Sequence, residues 1–307
     1  MSSINTNLAA ISALQALNQT NKDTLVVQNR VSTGLRVANA SDNAAYFSIA
    51  TTLRSDRQAI STVTDALGLG AATVDVANQG LTSSIKIASD IKSKLVAARQ
   101  PGVDRGKIQT EITQLQSSLR SAVETATFSG QNFLASDSTG TTTRTLVSSF
   151  SRDSSNNLKI GTISVDIGAT GSLLIDTSGN NAGVLDSDRT VTSGSTYNIL
   201  NLDVSELTDS EADLTDLEDY VKGVDNAITS ITNAATDLGA VKSRINVQKD
   251  FAKNLIDSID TGIGQLVDAD LNEESTKLQA LQVRSQLGVQ ALSLANQSSQ
   301  QILSLFQ

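Results

Sequence analysis

Any chemistry in this chain would have to come from carboxylates, hydroxyls and a few cations, because its 307 residues include no His and no Cys. That absence removes Ser–His–Asp and Cys–His nucleophile sites and HExxH zinc sites. It also removes disulfides, thiolates and Cys-ligated zinc or iron–sulfur clusters. Glu273 and Glu274, with the many Asp, could pair as acid and base, but no pocket-forming aromatics accompany them. Asp209, Glu211, Asp213, Asp216, Glu218 and Asp219 could hold a divalent cation. They lack the EF-hand spacing and its Gly, and they suit a helix N-terminus, where acids complement the macrodipole. Gly68-Leu-Gly70 resembles the start of a dinucleotide loop, yet it falls inside a helical pattern and follows no strand. Asn18-Gln-Thr20, Asn39-Ala-Ser41 and Asn296-Gln-Ser298 fit the glycosylation pattern but lie in helical or core segments; Ser and Thr of the middle region are better surface modification sites. The sequence therefore predicts no enzyme, no cofactor and no metal. The net charge of −9 argues against a nucleic-acid binder. No apolar run reaches membrane-spanning length, and no cleavable signal peptide is visible.

The elements around these residues are dominated by one period. In 1–35, Ile4, Leu8, Ile11, Leu14, Leu17, Leu25 and Val31 form a helical stripe, broken at Gly34. From Tyr46 a heptad runs through Ile49, Leu53, Asp56, Ile60, Val63, Leu67, Gly70, Val74, Ala77, Leu81, Ser84, Ala88, Ile91, Leu95 and Ala98. It predicts a helix about 80 Å long, ended by Gln100-Pro101-Gly102. Ile108, Ile112, Leu115, Leu119, Ala122 and Ala126 predict a shorter helix, and Phe128-Ser-Gly-Gln-Asn-Phe133-Leu134 a turn flanked by strand residues.

Between about 135 and 205 Ser, Thr, Gly, Asn and Asp take over. Leu158, Ile160, Ile163, Val165 and Ile167 show the alternation of a strand, with a turn at Asn156-Asn157, and Tyr197 to Val204 is a second strand candidate. The helical pattern then resumes. One seam runs Leu217, Val221, Val224, Ile228, Ile231, Ala235, Leu238, then by a three-residue stammer to Val241, Ile245, Gln248, Ala252, Leu255, Ile259, Gly262 and Leu266. A last helix carries Leu278, Leu281, Ser285, Gly288, Leu292, Ala295, Ser299, Ile302 and Phe306, with a second line at Leu287, Leu294 and Leu305.

The expected fold is mainly α: a long antiparallel coiled-coil rod formed by the N- and C-terminal segments, with a small β-rich insert. Three parts are expected: terminal helices (1–40, 270–307), a helical rod with a β-hairpin (41–135, 206–269) and a variable β-rich region (136–205). Ile49, Leu53, Leu81, Ile91, Leu115, Ile228, Ile245, Leu255 and Ile259 are the expected rod core. The terminal helices have apolar seams but little aromatic anchor. A lone pair would bury too little to offset an ordering entropy of roughly 1–2 kcal/mol per residue, so the ends are expected to fold on packing against other copies. The alternative is that they close an ordinary intramolecular bundle.

Several stretches resemble the bacterial flagellin family. These are Met1-Ser-Ser-Ile-Asn5-Thr-Asn7, Arg30-Val-Ser-Thr-Gly34-Leu35-Arg36 through Asp42-Asn43-Ala44-Ala45, the 128–134 turn, and Leu294-Ala295-Asn296-Gln297 to Phe306. Asn43-Ala-Ala-Tyr46-Phe47-Ser48-Ile49-Ala50 looks most like alphaproteobacterial flagellins. The resemblance implies a structural, self-assembling subunit of the extracellular filament that drives swimming, alone or mixed with other flagellins. It implies polymerisation and inner-tube packing by Ile4, Leu8, Ile11, Leu14, Leu17, Leu287, Leu292, Leu294, Ile302 and Leu305. It further implies type III export without a cleaved signal, an export chaperone on Leu278, Leu281, Leu292, Ile302 and Phe306, and cap and hook–filament junction proteins as partners. Arg30, Arg36, Asp42 and Asn43 are expected to make inter-subunit or helix-to-loop contacts that fix packing register. Asp90 and Ser93 depart from the Arg-rich pattern of flagellins that stimulate the vertebrate innate receptor, which predicts weak activation. The competing readings are a hook–filament junction protein and a coiled-coil adhesion module.

Overall fold

A computed structural model describes residues 7–153, 157–168 and 171–304, with side chains to 297. Ile4, Leu305, Phe306 and the predicted turn residue Asn156 lie outside the described residues, as does the side chain of Ile302. The chain is mainly helical: α1 (Leu8–Thr33), α2 (Ala44–Ala98), α3 (Arg105–Glu124), α4 (Glu211–Val267) and α5 (Leu271–Ser304). Among the described residues, eight strands, β1 to β8, lie between α3 and α4. Packing divides the chain into two compact units, 1–58 with 256–307, and 59–255. These boundaries fall inside α2 and α4, and the β region clusters with the helices of the second unit instead of standing apart.

In the 59–255 unit the seam residues of α2 and α4 are buried as their spacing requires. Leu67, Leu81, Ile91 and Leu95 of α2, Ile112 and Leu119 of α3, and Leu217, Val224, Ile231, Leu238 and Ile245 of α4 are all closed to solvent. Lys92–Asp225 at 2.6 Å, Lys242–Asp75 at 2.5 Å and Arg99–Glu218 fix α2 and α4 as antiparallel. Leu115 and Ile228 are half-buried at the edge of this core, and Leu255 is half-buried on α4. The stammer in α4 is not used. Ala227 and Ala234, not Ile228 and Ala235, take the fully buried positions. The buried line then steps by three and four without interruption from Leu217 to Ala252, because the small Ala side chains allow closer approach.

Ile49, expected in the core, is 48% exposed. The heptad from Leu53 onward keeps its phase, but Phe47 and Ala50 turn inward where Tyr46 and Ile49 were expected. A 3.6-residue helix drifts against a 3.5-residue pattern, so the contact line changes stripe.

The α2–α3 turn is held by a buried cation. Arg105 donates to the carbonyls of Ala98 (2.9 Å) and Leu207 (3.0 Å) and to Asp209 (2.6 Å). Asp104 caps α3 by accepting the Lys107 amide. The predicted acidic helix start is present in α4, where Ser210 Oγ accepts the Asp213 amide.

In the β region, β1 (Thr127–Phe128) and β2 (Gln131–Asn132) form the expected hairpin, with Ser129 and Gly130 both at positive φ. β4 (Thr143–Arg152) pairs antiparallel with β5 (Leu158–Asp166), placing Ile163 and Val165 inward. β3 (Ala135–Ser136) pairs in parallel with β6 (Ile175–Asp176), and β7 (Arg189–Thr190) pairs with β8 (Thr196–Tyr197). The strand expected over 197–204 ends at Tyr197. Its carbonyls and amides instead meet two side chains of α3. Gln116 donates to the Ile199 and Leu202 carbonyls, and Gln109 Oε1 accepts the Val204 amide. Asp176 ties the loops together by accepting from the amides of Ser138, Ser178 and Ala182 and from both Ser hydroxyls. Burial pushes its carboxyl up, but the hydrogen bonds from Ser138 and Ser178 prevail and hold it well below the usual carboxylate range.

Candidate assembly surface of the terminal helices

α1 begins at Asn7, whose side chain caps the Ala10 amide, and ends at Gly34 in the left-handed conformation that a helix C-terminus favours. α5 begins at Asp270, whose carboxylate accepts the amides of Asn272 and Glu273. The two helices pack antiparallel. Asn7 Nδ2 donates to the Ala295 carbonyl at 2.9 Å, Ser285 Oγ to Asn21 Oδ1 at 3.4 Å, and Arg30 pairs with Glu274 at 3.3 Å. Leu17 lies so close to Gly288 that an added Cβ would sit 3.2 Å from its Cδ1.

The facing surfaces alternate small residues with Leu and Val. Ala13, Leu17, Thr20, Thr24, Val27 and Val31 of α1 step by three and four on one side. Glu274, Leu278, Leu281, Ser285, Gly288, Leu292 and Ala295 line α5 opposite them. Of the α1 residues, Thr20 and Val27 are buried. Most of the stripe read from the sequence points elsewhere. Leu8 (73% exposed), Ile11, Leu14 and Leu25 face solvent, and only Leu17 and Val31 of it reach the α1–α5 contact. The reason is physical: on α1 an Ala/Thr/Val line with Leu17 fits against the Leu, Ser and Gly line of α5, with Leu17 over Gly288, and this leaves the other Leu and Ile residues of α1 outward. On α5 the second line is outward in the same way, with Leu287 and Leu294 (71%) exposed together with Val283 and Val289. The two Val positions, and Val26 on α1, were missed from sequence because neither line of heptad spacing passes through them.

Charge divides the pair. Residues 7–21 and 285–295, which lie side by side, contain no ionisable side chain. Lys22, Asp23, Arg30, Glu273, Glu274, Lys277 and Arg284 occupy the other end. There the hydrogen bond that Lys277 donates to the Glu273 carboxylate raises its ammonium above its ordinary value. An apolar, charge-free exposed surface of this kind marks an interaction site.

The four expected register-setting residues all act within the chain. Arg36 donates to the carbonyls of Leu266 (3.1 Å) and Gln265 (3.5 Å) at the end of α4. Asp42 accepts the amides of Ala38 and Asn39, and Asn43 caps α2 through the amides of Ala45 and Tyr46. The connection also lays Leu35 against Asp268, with the Arg36 and Val37 amides on the Val267 carbonyl. Val37, Ala50, Ile263 and Val267, flanked by Leu53 and Ile259, form a small core beneath it. Among the described residues no group of carboxylates could hold a metal ion, and no helix is long and apolar enough to cross a membrane.

Comparison with known proteins agrees with this layout. Residues 4–139 match the bacterial flagellin N-terminal helical region, and residues 221–306 match the C-terminal helical region. Flagellin C of Rhizobium meliloti (strain 1021) is 44% identical with both chains covered in full, and flagellin A of the same strain is 40% identical over the same coverage. A flagellin of Brucella melitensis is 42% identical over all of this chain and 99% of its own. The relatives are alphaproteobacterial, as the 43–50 stretch suggested. Full-length identity at this level, with both helical ends matched, places the chain in the bacterial flagellin family.

Proposed function

We propose that this chain, a structural subunit of the bacterial flagellar filament, polymerises by burying the outward stripes of α1 and α5 against other copies. The observation that carries the reading is the exposure of Leu8, Ile11, Leu14, Leu287 and Leu294 on a helix pair whose own contact uses other residues. Fully burying a Leu or Ile side chain stabilises by roughly 1.5–3 kcal/mol, so five such residues supply a large driving force per copy. Because the terminal half of the pair carries no ionisable side chain, that contact is nearly insensitive to salt, in contrast to one built from ion pairs. The filament is homopolymeric or mixed with other flagellins.

Export through the type III apparatus and a chaperone on α5 belong to the same reading. Leu278, Leu281 and Leu292 face α1, so a chaperone that grips them must take α5 before the pair closes. Cap and junction proteins act at the ends of the filament. Seeded assembly tests the proposal: sheared filament fragments are added to monomer at neutral pH and imaged by negative-stain electron microscopy. Long filaments from the full chain and none from a chain lacking 1–35 and 273–307 are expected. A monomer with protease-resistant ends and no growth would instead favour the junction-protein reading.

A further inference from the structure

Three glycines lie buried in the interiors of the two long helices of the 59–255 unit: Gly70 and Gly80 on α2, and Gly223 on α4. Glycine inside a helix is less favourable than alanine, because it loses more backbone freedom on folding. Each of the three stands where a side chain from 126–197 comes down onto the helix backbone. Leu146 of β4 lies over Gly70, the second glycine of the Gly68-Leu-Gly70 run, so an added Cβ would sit 3.2 Å from its Cδ1. Leu134, just past the β1–β2 hairpin, lies over Gly80 beside Ala126; a Cβ there would be 2.5 Å from Leu134 Cδ1 and 2.9 Å from Ala126 Cβ. Tyr197 of β8 lies over Gly223, where a Cβ would overlap its Oη. Two other helix glycines lack such a neighbour. Gly239 is exposed and meets nothing within 4 Å, and Gly68 meets only the far end of Lys249 at 3.9 Å.

Each seated side chain is also a junction within the β region. Leu146 stands opposite Ile163 in the β4–β5 pair, and Ile163 is closed to solvent. The Leu134 carbonyl accepts the amides of Leu174 (2.8 Å) and Ile175 (3.2 Å), joining the hairpin to β6. Tyr197 Oη donates to the Asp219 carbonyl at 2.9 Å, and its ring meets Tyr220 edge-on at 4.5 Å. The Asp219 and Asp216 carboxylates accept the amides of Thr192 and Ser193, which closes the β7–β8 hairpin onto the same stretch of α4. Among the described residues the β region holds four separate two-stranded sheets that share no strand. A two-stranded sheet is marginally stable by itself, so the order of these four must come from what they rest on.

We propose that Gly70, Gly80 and Gly223 form a three-point mount that fixes the β region in one orientation on α2 and α4. The missing side chains let Leu146, Leu134 and Tyr197 reach the helix backbone, and contact at each seat offsets the helix stability that glycine gives up. Only the consequence rests on the filament-subunit reading: every copy in a filament carries its β region at the same angle to its helices.

Hydrogen exchange of the full-length monomer, read by mass spectrometry, tests the mount. Gly223→Ala is expected to speed exchange about tenfold or more over 189–204, because strain at a seat opens the segment it holds. Gly70→Ala should do the same over 143–166 by a smaller factor, about threefold, since Leu146 needs to give way less. Peptides of the α2 and α4 seams around Ile91 and Ile231 should keep their wild-type protection. Gly239→Ala, at a glycine that seats nothing, should leave exchange no faster and raise the melting temperature by roughly 2–4 °C. Tyr197→Phe removes the Oη that the new Cβ would strike, so Gly223→Ala/Tyr197→Phe should recover much of the protection that Gly223→Ala loses. Gly223→Ala with wild-type exchange over 189–204, or a double variant no better protected than Gly223→Ala, would overturn the mount. So would acceleration spread evenly into the seams, which would make these glycines part of general core packing. Seeded elongation tests the filament reading separately, because the exchange is measured on the monomer.

Discussion

The two units use the same kind of residue in opposite ways. In 59–255 the large aliphatic side chains of the α2 and α4 seams are closed to solvent against α3 and the β region. In the unit formed by 1–58 and 256–307, Val27, Val37, Ala50, Ile263 and Val267 are the buried hydrophobics among the described residues, while Leu8, Ile11, Leu14, Leu25, Leu287 and Leu294 are exposed. Both units have heptad-like spacing, so the pattern alone does not decide burial. What differs is the number of neighbours. Three helices and a β layer enclose a seam from several sides, whereas α1 and α5 pack chiefly on each other. The lesson is that a heptad announces a contact without saying whether the partner belongs to the same chain.

The largest expected effect breaks this comparison at the terminal helices. Leu14→Lys combined with Leu294→Lys puts two charges into a surface that has none. If that surface is buried between copies, seeded elongation should stop, because an unpaired buried charge costs several kcal/mol. The melting of the isolated monomer should change by no more than about 0.5 kcal/mol, since both sites are exposed. Growth curves from wild-type seeds and a denaturant titration of the monomer measure the two halves. Normal elongation would show that the stripes face solvent in the filament too.

A smaller effect of opposite kind is expected in the second unit. Leu81 is fully closed to solvent at the centre of the α2 seam. Leu81→Ala should therefore destabilise the monomer by about 2–5 kcal/mol, read as a shift in the urea midpoint. Filaments should still form wherever the monomer is folded, because Leu81 has no surface to offer a neighbour.

Much of this was legible in the sequence where one rule acted alone. The α2 seam from Leu53 to Ala98, the 129–130 turn and the α5 line from Leu278 to Ala295 follow directly from spacing and turn chemistry. The line of α1 that meets α5 went unread because two lines run along that helix. The eye follows Leu and Ile, while close helix packing selects Ala, Thr and Val. The run 197–204 looked like a strand because Ile199, Leu200, Leu202 and Val204 are apolar. They are buried, but their backbone is met by the Leu185 carbonyl at the Ile199 amide and by Gln109 and Gln116, some 90 residues earlier in the chain. No local pattern encodes such a pairing. The β4 strand was missed for a related reason: its register shifts between Val147 and Ser149, which spoils the alternation.

The smallest expected effect sharpens the boundary between the two behaviours. Ile49 belongs to the heptad by spacing, yet it is 48% exposed, while its neighbour Ala50 is fully buried against the small Val37–Ile263–Val267 core. Spacing predicts that Ile49→Ala should cost as much as any seam truncation. The structure predicts a change of less than about 0.5 kcal/mol in the monomer, because a half-exposed side chain loses little transfer free energy and leaves no cavity. Ala50→Leu should do the reverse, forcing extra methylenes into a closed site at a cost of about 1–3 kcal/mol. Urea titrations of the two variants side by side decide between the readings. A large loss from Ile49→Ala with tolerance of Ala50→Leu would mean that α2 keeps its original heptad phase to its first turn. The opposite result fixes the change of stripe near Ile49, where the helix leaves the pattern that its own sequence sets further on.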